Sequence, residues 1–175
     1  MLYFDDQWQS QANVTSFGHD IEGSWLMCEA AELQQDSVLR GEIETIAMKM
    51  ADTVYRTGLD PLYGGLFETE KDGVLQTDGS EWWTQAEAVV GFFNAYAVTG
   101  ENRYLDAAYS VWRFIQSHLV DRKNGEWFWG VTRDGTAVFD DTKVSAWKCP
   151  YHNSRMCFEI LTRLKNLETQ RSLDR

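Results

Sequence analysis

The chain has 175 residues, enough to bury one core, and is read as a single domain over 1–175. Its 27 acidic against 16 basic residues give a formal net charge of −11, which excludes nucleic acid as a partner because phosphates require a basic face. No apolar run approaches the roughly 20 residues that cross a bilayer, so no membrane partner is expected.

Eight Trp, seven Tyr and nine Phe make the chain 14% aromatic. Most of these rings fill the core, but the number exceeds what a core of this size requires, and flat aromatic faces bind the apolar faces of sugars. Cys28, Cys149 and Cys157 are odd in number and show no paired spacing, so neither a disulfide framework nor a zinc site is expected. With no basic-then-apolar leader pattern at the N-terminus, a reducing, cytoplasmic location is expected.

From residue 1 to 16 the chain reads as a loop or short strand. A first helix starts near His19 or Asp20, with Ile21, Trp25, Cys28 and Ala31 along one side. Asp36 or Ser37 caps a second helix, whose apolar stripe of Leu39, Ile43, Ala47, Met50 and Val54 runs to about Arg56. Asp72-Gly73 marks a small hairpin. A third helix over about 81–98 is apolar on several sides and is predicted to be buried. Thr99-Gly100 stops it, Asn102 caps a fourth helix reaching Leu119, and Asp134-Gly135 marks a second hairpin. Pro150 precedes a fifth helix carrying Met156, Ile160, Leu161, Leu164 and Leu167. The two Asp-Gly turns lie 62 positions apart, an internal repeat that fits a toroid of helical hairpins. Five helices make an arc of such a toroid and leave apolar stripes, such as Leu39, Ile43, Met50 and Val54, at its ends.

Three segments place polar residues where one helix of a pair begins: Ser16 to Trp25, Trp82 to Glu87 and Trp147 to Arg155. In a toroid these starts share one rim, so His19, Glu22, Trp83, Glu87, Trp147 and His152 converge on a central cavity. His152 falls in a first helical turn, where the positive end of the helix dipole favours the uncharged ring, the form that accepts a proton. Two histidines with two carboxylates suit acid–base chemistry, the carboxylates fixing the tautomers. For Glu87 an ion pair with Arg155 is an equal reading. Of Trp82 and Trp83, one is core and the other faces the cavity, since adjacent helical residues point about 100° apart. His19, His152 and Glu22 also suit a metal, but without an H-x-x-x-H pair the expectation is that none is bound. His118 reads as a surface or capping residue. No phosphate loop, nucleophile elbow or dinucleotide fingerprint is present.

Through these three segments, from about Ser16 to Leu164, the chain resembles the disaccharide-acting branch of the N-acylglucosamine 2-epimerase family. The resemblance implies an all-α fold, here a partial (α/α)6 barrel with short β-hairpins between helix pairs, corresponding to the C-terminal portion of longer family members. It implies interconversion of a reducing-end glucose with mannose by proton abstraction and return at C2, with no cofactor. His19 and His152 match the catalytic histidines, Glu22 and Glu87 the essential acidic residues, and Trp25, Trp83 and Trp147 tryptophans in or near the sugar site, with Arg155 placed among the substrate-binding residues. The alternatives are an aldose–ketose isomerase, which shares the enediolate, and a non-catalytic carbohydrate-binding fragment. The implied partners are a disaccharide or monosaccharide and, across the open ends of the arc, a second copy or a separate N-terminal half.

Overall fold

The predicted helical spacing is realised in five α-helices among the described residues, which are 4–11, 13–75, 79–138 and 142–173 of this computed structural model. They are α1 (Phe17–Glu32), α2 (Ser37–Thr57), α3 (Trp82–Thr99), α4 (Asn102–Phe114) and α5 (Tyr151–Leu173). In α1 the side chains of Phe17, Ile21, Trp25, Cys28 and Ala31 recur every three or four positions and are all buried. α3 is buried on nearly every side from Trp82 to Ala95, and it lies between α1 and α5. α2 packs against α1, and α4 against α3. The arrangement is an inner row of α1, α3 and α5 with an outer row of α2 and α4.

Helix ends follow local chemistry. The Asp36 carboxylate accepts the backbone N–H groups of Val38 and Leu39 and caps α2. Gly100 adopts φ 72°, the left-handed turn that ends α3. Asn102 is the first residue of α4 and not its cap; the preceding Glu101 makes no side-chain cap and binds Arg103 instead. The expected run to Leu119 is completed by a π-helical turn, Ile115–Leu119, which keeps Ile115 and Leu119 in the core. Val54, expected on an open stripe, is fully buried, whereas Leu39 is exposed. Among the described residues no helix is long and apolar enough to cross a membrane.

The internal repeat is visible in the backbone. β1 (Val14–Ser16) precedes α1 and pairs antiparallel with β2 (Thr69–Lys71), which follows α2. Likewise β4 (Gly79–Glu81) precedes α3 and pairs antiparallel with β5 (Gly130–Thr132), which follows α4. Each outer helix is joined to its returning strand by the same turn. Asp60 accepts the N–H groups of Leu62 and Tyr63, and Asp121 accepts those of Lys123 and Asn124. Gly64 and Gly125, both at positive φ, donate to the carbonyls of these aspartates. Both carboxyls lie below the usual range. For Asp121 the leading cause is the Lys143 ammonium; for Asp60 burial opposes the shift, and the Arg133 guanidinium with the turn N–H groups outweighs it.

The hairpin at Asp72-Gly73 forms as expected, joining β2 to β3 (Val74–Leu75). At Asp134-Gly135 the turn forms, but the returning segment makes only a bridge from Ala137 to Val131, and residues 139–141 lie outside the described set. The main partner of β5 is β4, because the module closes on its own first strand.

α1 and α3 approach closely because Gly91 carries no side chain. A Cβ there would lie 2.5 Å from Ile21 Cγ1 and 2.9 Å from the Ile21 carbonyl oxygen. Gly91→Ala is expected to destabilise the protein by about 2 kcal/mol through forced separation of the helices, read as a lower urea midpoint at unchanged slope. A midpoint equal to that of the wild type would mean that this contact does not set the helix spacing.

Candidate active site

The first N–H groups of a helix need acceptors, normally supplied by the N-cap side chain. In α1 and α3 the returning strand takes part of that role: Phe17 N–H donates to the Glu68 carbonyl at 3.2 Å and Trp82 N–H to the Trp129 carbonyl at 2.9 Å. The N-cap side chains of Ser16 and Glu81 make no capping bond. Ser16 Oγ instead pairs with His19 Nδ1 at 2.7 Å. The Glu81 carboxylate accepts the indole N–H of Trp83 at 2.8 Å and that of Trp129 at 3.4 Å.

Beneath this layer lies Glu87, 1% exposed. Its carboxylate accepts from Trp25 Nε1 at 3.0 Å and from Arg155 at 2.7 Å, and is 2.7 Å from His152 Nδ1. Arg155 also donates to Glu22. One buried group thus joins α1, α3 and α5, and both sequence readings of Glu87 hold together: it pairs with Arg155 and it orients His152. In a neutral His152, Nδ1 carries the proton that faces the carboxylate, leaving the Nε2 lone pair as the base.

The rings of His19 and His152 flank Trp83, with centroids 4.8 and 5.7 Å from the indole. His19, Glu22, Trp83, Trp147 and His152 line one cleft of about 350 Å³, within the size range of small-ligand sites. Glu81, Trp82 and Trp129 complete its wall. Of the adjacent tryptophans, Trp82 is buried and Trp83 half-buried. Trp25 and Arg155 lie below the cleft; Trp25 is 1% exposed, with the Arg155 guanidinium 5.1 Å over its ring. His118 lies outside the cleft, packed against Phe114.

Trp147 is 86% exposed at the rim, and its loop is pinned by its neighbour. Lys148 is fully buried, and its ammonium donates to the Glu126 carboxylate and to the carbonyls of Lys143 and Trp127, at 2.9 to 3.0 Å. Three acceptors satisfy its three donors. Glu126 also accepts from Asn153 in the first turn of α5, so the same contact sets the start of that helix.

The ligand atoms of Glu22, Glu87 and His152 lie within 4.8 Å of one another, a spacing that suits a metal ion. The Arg155 guanidinium donates to both carboxylates and already supplies the positive charge there. His19 is not part of this group.

Paired helices whose inner N-termini meet at a cleft of imidazoles, carboxylates and tryptophans resemble the helical toroid fold of the sugar epimerases. The chain belongs to the N-acylglucosamine 2-epimerase family, whose model, N-acylglucosamine 2-epimerase (GlcNAc 2-epimerase), matches residues 2–155. It is 44% identical over 161 residues to the cellobiose 2-epimerase of Bacteroides fragilis, covering 91% of this chain and 41% of that protein. Among solved structures it is similar to a sugar epimerase from a ruminal bacterium, at 36% identity and TM-score 0.86, covering 92% of this chain and 41% of that one. It is also similar to the cellobiose 2-epimerase of Spirochaeta thermophila, at 40% identity and TM-score 0.79, covering 94% and 41%. The chain therefore spans about two fifths of the length of these relatives.

Glu68 was not singled out by any motif, yet it supports the site. Its carboxylate accepts the Glu81 N–H and, at 2.9 Å, the Thr84 hydroxyl, giving the start of α3 the cap that Glu81 does not. Burial raises its pKa from 4.5 to about 7, the nearby Glu81 charge adds to this, and the two hydrogen bonds oppose it. A raised folded-state value means that stability from this group is complete below about 4.5 and is lost as pH rises through about 7. Relative to Glu68→Gln, the wild type is expected to lose up to about 3 kcal/mol between pH 4 and pH 8, measured by denaturant unfolding at each pH. A difference that does not change with pH would mean that Glu68 stays ionised throughout.

Proposed function

We propose that this cleft is the proton-transfer site of a sugar 2-epimerase that converts the reducing-end glucose of cellobiose, or of a related β-1,4-disaccharide, to mannose. The observation that carries the reading is the pair of imidazoles flanking Trp83, each held at Nδ1, by Ser16 and by Glu87. The names of the relatives support the substrate class.

In this mechanism the sugar ring opens, and one imidazole Nε2 takes the C2 proton. The electron pair forms the enediolate, with the C1 oxygen taking up the charge, and the other imidazole returns a proton to the opposite face of C2. The reverse reaction exchanges the two roles. When His152 holds the extra proton, the Glu87 carboxylate stabilises the imidazolium, as a buried carboxylate does for the histidine of a catalytic triad. Trp83 offers an aromatic face to the sugar between the two bases. Glu22 and Arg155 fix the charge balance around Glu87, and Trp25 holds that carboxylate from below.

In the same reading residues 1–175 form one domain, an arc of an (α/α)6 barrel that is completed by helices matching the N-terminal part of the relatives. Support comes from α5, which has no outer helix paired with it among the described residues. An apolar groove of about 410 Å³ runs between α5, α3 and α4, lined by Phe93, Leu105, Trp112, Met156, Ile160 and Leu164. Phe158 and Leu161 are exposed on the same helix. A surface of this kind is ordinarily covered. Mixing the chain with a polypeptide carrying the N-terminal part of the Bacteroides fragilis relative is expected to give a one-to-one complex in sedimentation. A stable monomer that ignores the added polypeptide would reject the incomplete-barrel reading.

Incubated with cellobiose, the complex is expected to produce glucosyl-mannose and to keep its activity in EDTA. A glucosyl-fructose product would reassign it as an aldose–ketose isomerase, no conversion would leave a carbohydrate-binding fragment, and loss on chelation reversed by added metal would restore a metal mechanism. His19→Asn and His152→Asn are each expected to lower kcat by at least about 10²-fold while the unfolding midpoint is kept. Near-wild-type turnover in either variant would remove that histidine from the proton transfer.

A further inference from the structure

The internal repeat includes a contact that runs between modules. Both hairpins carry a cation before the Asp-Gly pair: Lys71-Asp72-Gly73 after α2 and Arg133-Asp134-Gly135 after α4. In the second module that cation reaches back to the first. Arg133 Nε donates to the Asp60 carboxylate at 2.7 Å, and the guanidinium lies 5.3 Å from the centre of the Phe67 ring. Asp60 is 4% exposed and opens the turn that follows α2, so the second hairpin seals the acidic turn of the module before it. The Asp121 turn is met in the same sense, by Lys143 of the segment that leads into α5.

Lys71 has no such counterpart. It is exposed and makes no ion pair with another described residue. Val74 and Leu75 on its returning strand are exposed as well, whereas Ala137 and Val138 of the second hairpin are half-buried. Stacked repeats meet through the same faces at each junction. A module placed before α1 would come from the part of the relatives that this chain, at 41% of the Bacteroides fragilis protein, does not span.

We propose that Lys71 is a clamp between modules whose partner is an aspartate turn of the Asp-x-x-x-Gly kind on the polypeptide that completes the barrel. Both turns of this chain have that spacing, Asp60 to Gly64 and Asp121 to Gly125. A carboxylate that accepts two backbone N–H groups keeps lone pairs for a cation. The Lys71 hairpin has a two-residue loop where that of Arg133 has three, and the flexible four-carbon stem of lysine with its three rotatable donors accommodates the shorter loop. The clamp presupposes the incomplete barrel proposed above.

The test mixes the chain, at low ionic strength, with a polypeptide carrying the N-terminal part of the Bacteroides fragilis relative. A carbodiimide then joins any lysine amine to a touching carboxylate as an amide, itself taking up the water to become a urea. Peptide mapping is expected to join Lys71 to an aspartate four residues before a glycine. Lys71→Glu is expected to weaken the complex at least about tenfold and Lys71→Arg by no more than about twofold, with the unfolding midpoint of the free chain unchanged in both. The loss in Lys71→Glu is expected to shrink as salt is raised. A complex indifferent to Lys71→Glu, or a Lys71 crosslink to a carboxylate outside such a turn, would overturn the clamp while the incomplete barrel stands. No complex at all would overturn both.

Discussion

A buried carboxylate is costly unless its lone pairs are matched, and Glu87 is matched by groups from two other helices. Trp25 comes from α1, His152 and Arg155 from α5, and Glu87 itself from the most buried helix, α3. The inner row cannot slide or rotate without stranding that carboxylate, so the same contact sets helix packing and the position of the His152 imidazole. This is why a residue expected either to orient an imidazole or to form an ion pair makes both contacts: the ion pair holds the orienting carboxylate in place. The balance extends outward through Glu22, which shares the Arg155 guanidinium and lines the cleft.

The helices were legible because their information is local. Apolar spacing in α1 and α3, the Asp36 cap and the Gly100 stop each act within a few residues of where they are read. The cleft motifs were legible for a related reason, since His19, Trp83 and His152 each sit in the first turn of an inner helix. Trp129, Glu81, Glu68 and Lys148 were not. Their roles exist only once β4 pairs with β5 or once the loop before Pro150 folds over Trp82, and they link positions from 13 to 66 residues apart. The internal repeat held the missing signal. Glu68 and Trp129 occupy equivalent places after the two aspartate turns, and each gives its carbonyl to the helix of its own module.

Equivalent positions in the two modules then diverge in chemistry. Ser16 and Glu81 both precede an inner helix, and the first holds an imidazole while the second holds two indoles. Glu68 supplies a carboxylate where its counterpart Trp129 supplies an aromatic face. A single architecture can thus hold an imidazole at one start and indoles at the next, with the same path of the backbone.

That divergence depends on how the helix ends are satisfied. α2, in the outer row, is capped in the ordinary way by Asp36, whose side chain is used up by the backbone. α1 and α3 receive a carbonyl from the returning strand instead, and for α3 the Glu68 carboxylate adds a second acceptor. Ser16 and Glu81 therefore keep their side-chain oxygens for groups in the cleft. Closing each module with a strand has a consequence beyond stability: it releases the residue at the mouth of α1 and of α3 from a structural duty and leaves it free to orient the groups that line the cleft.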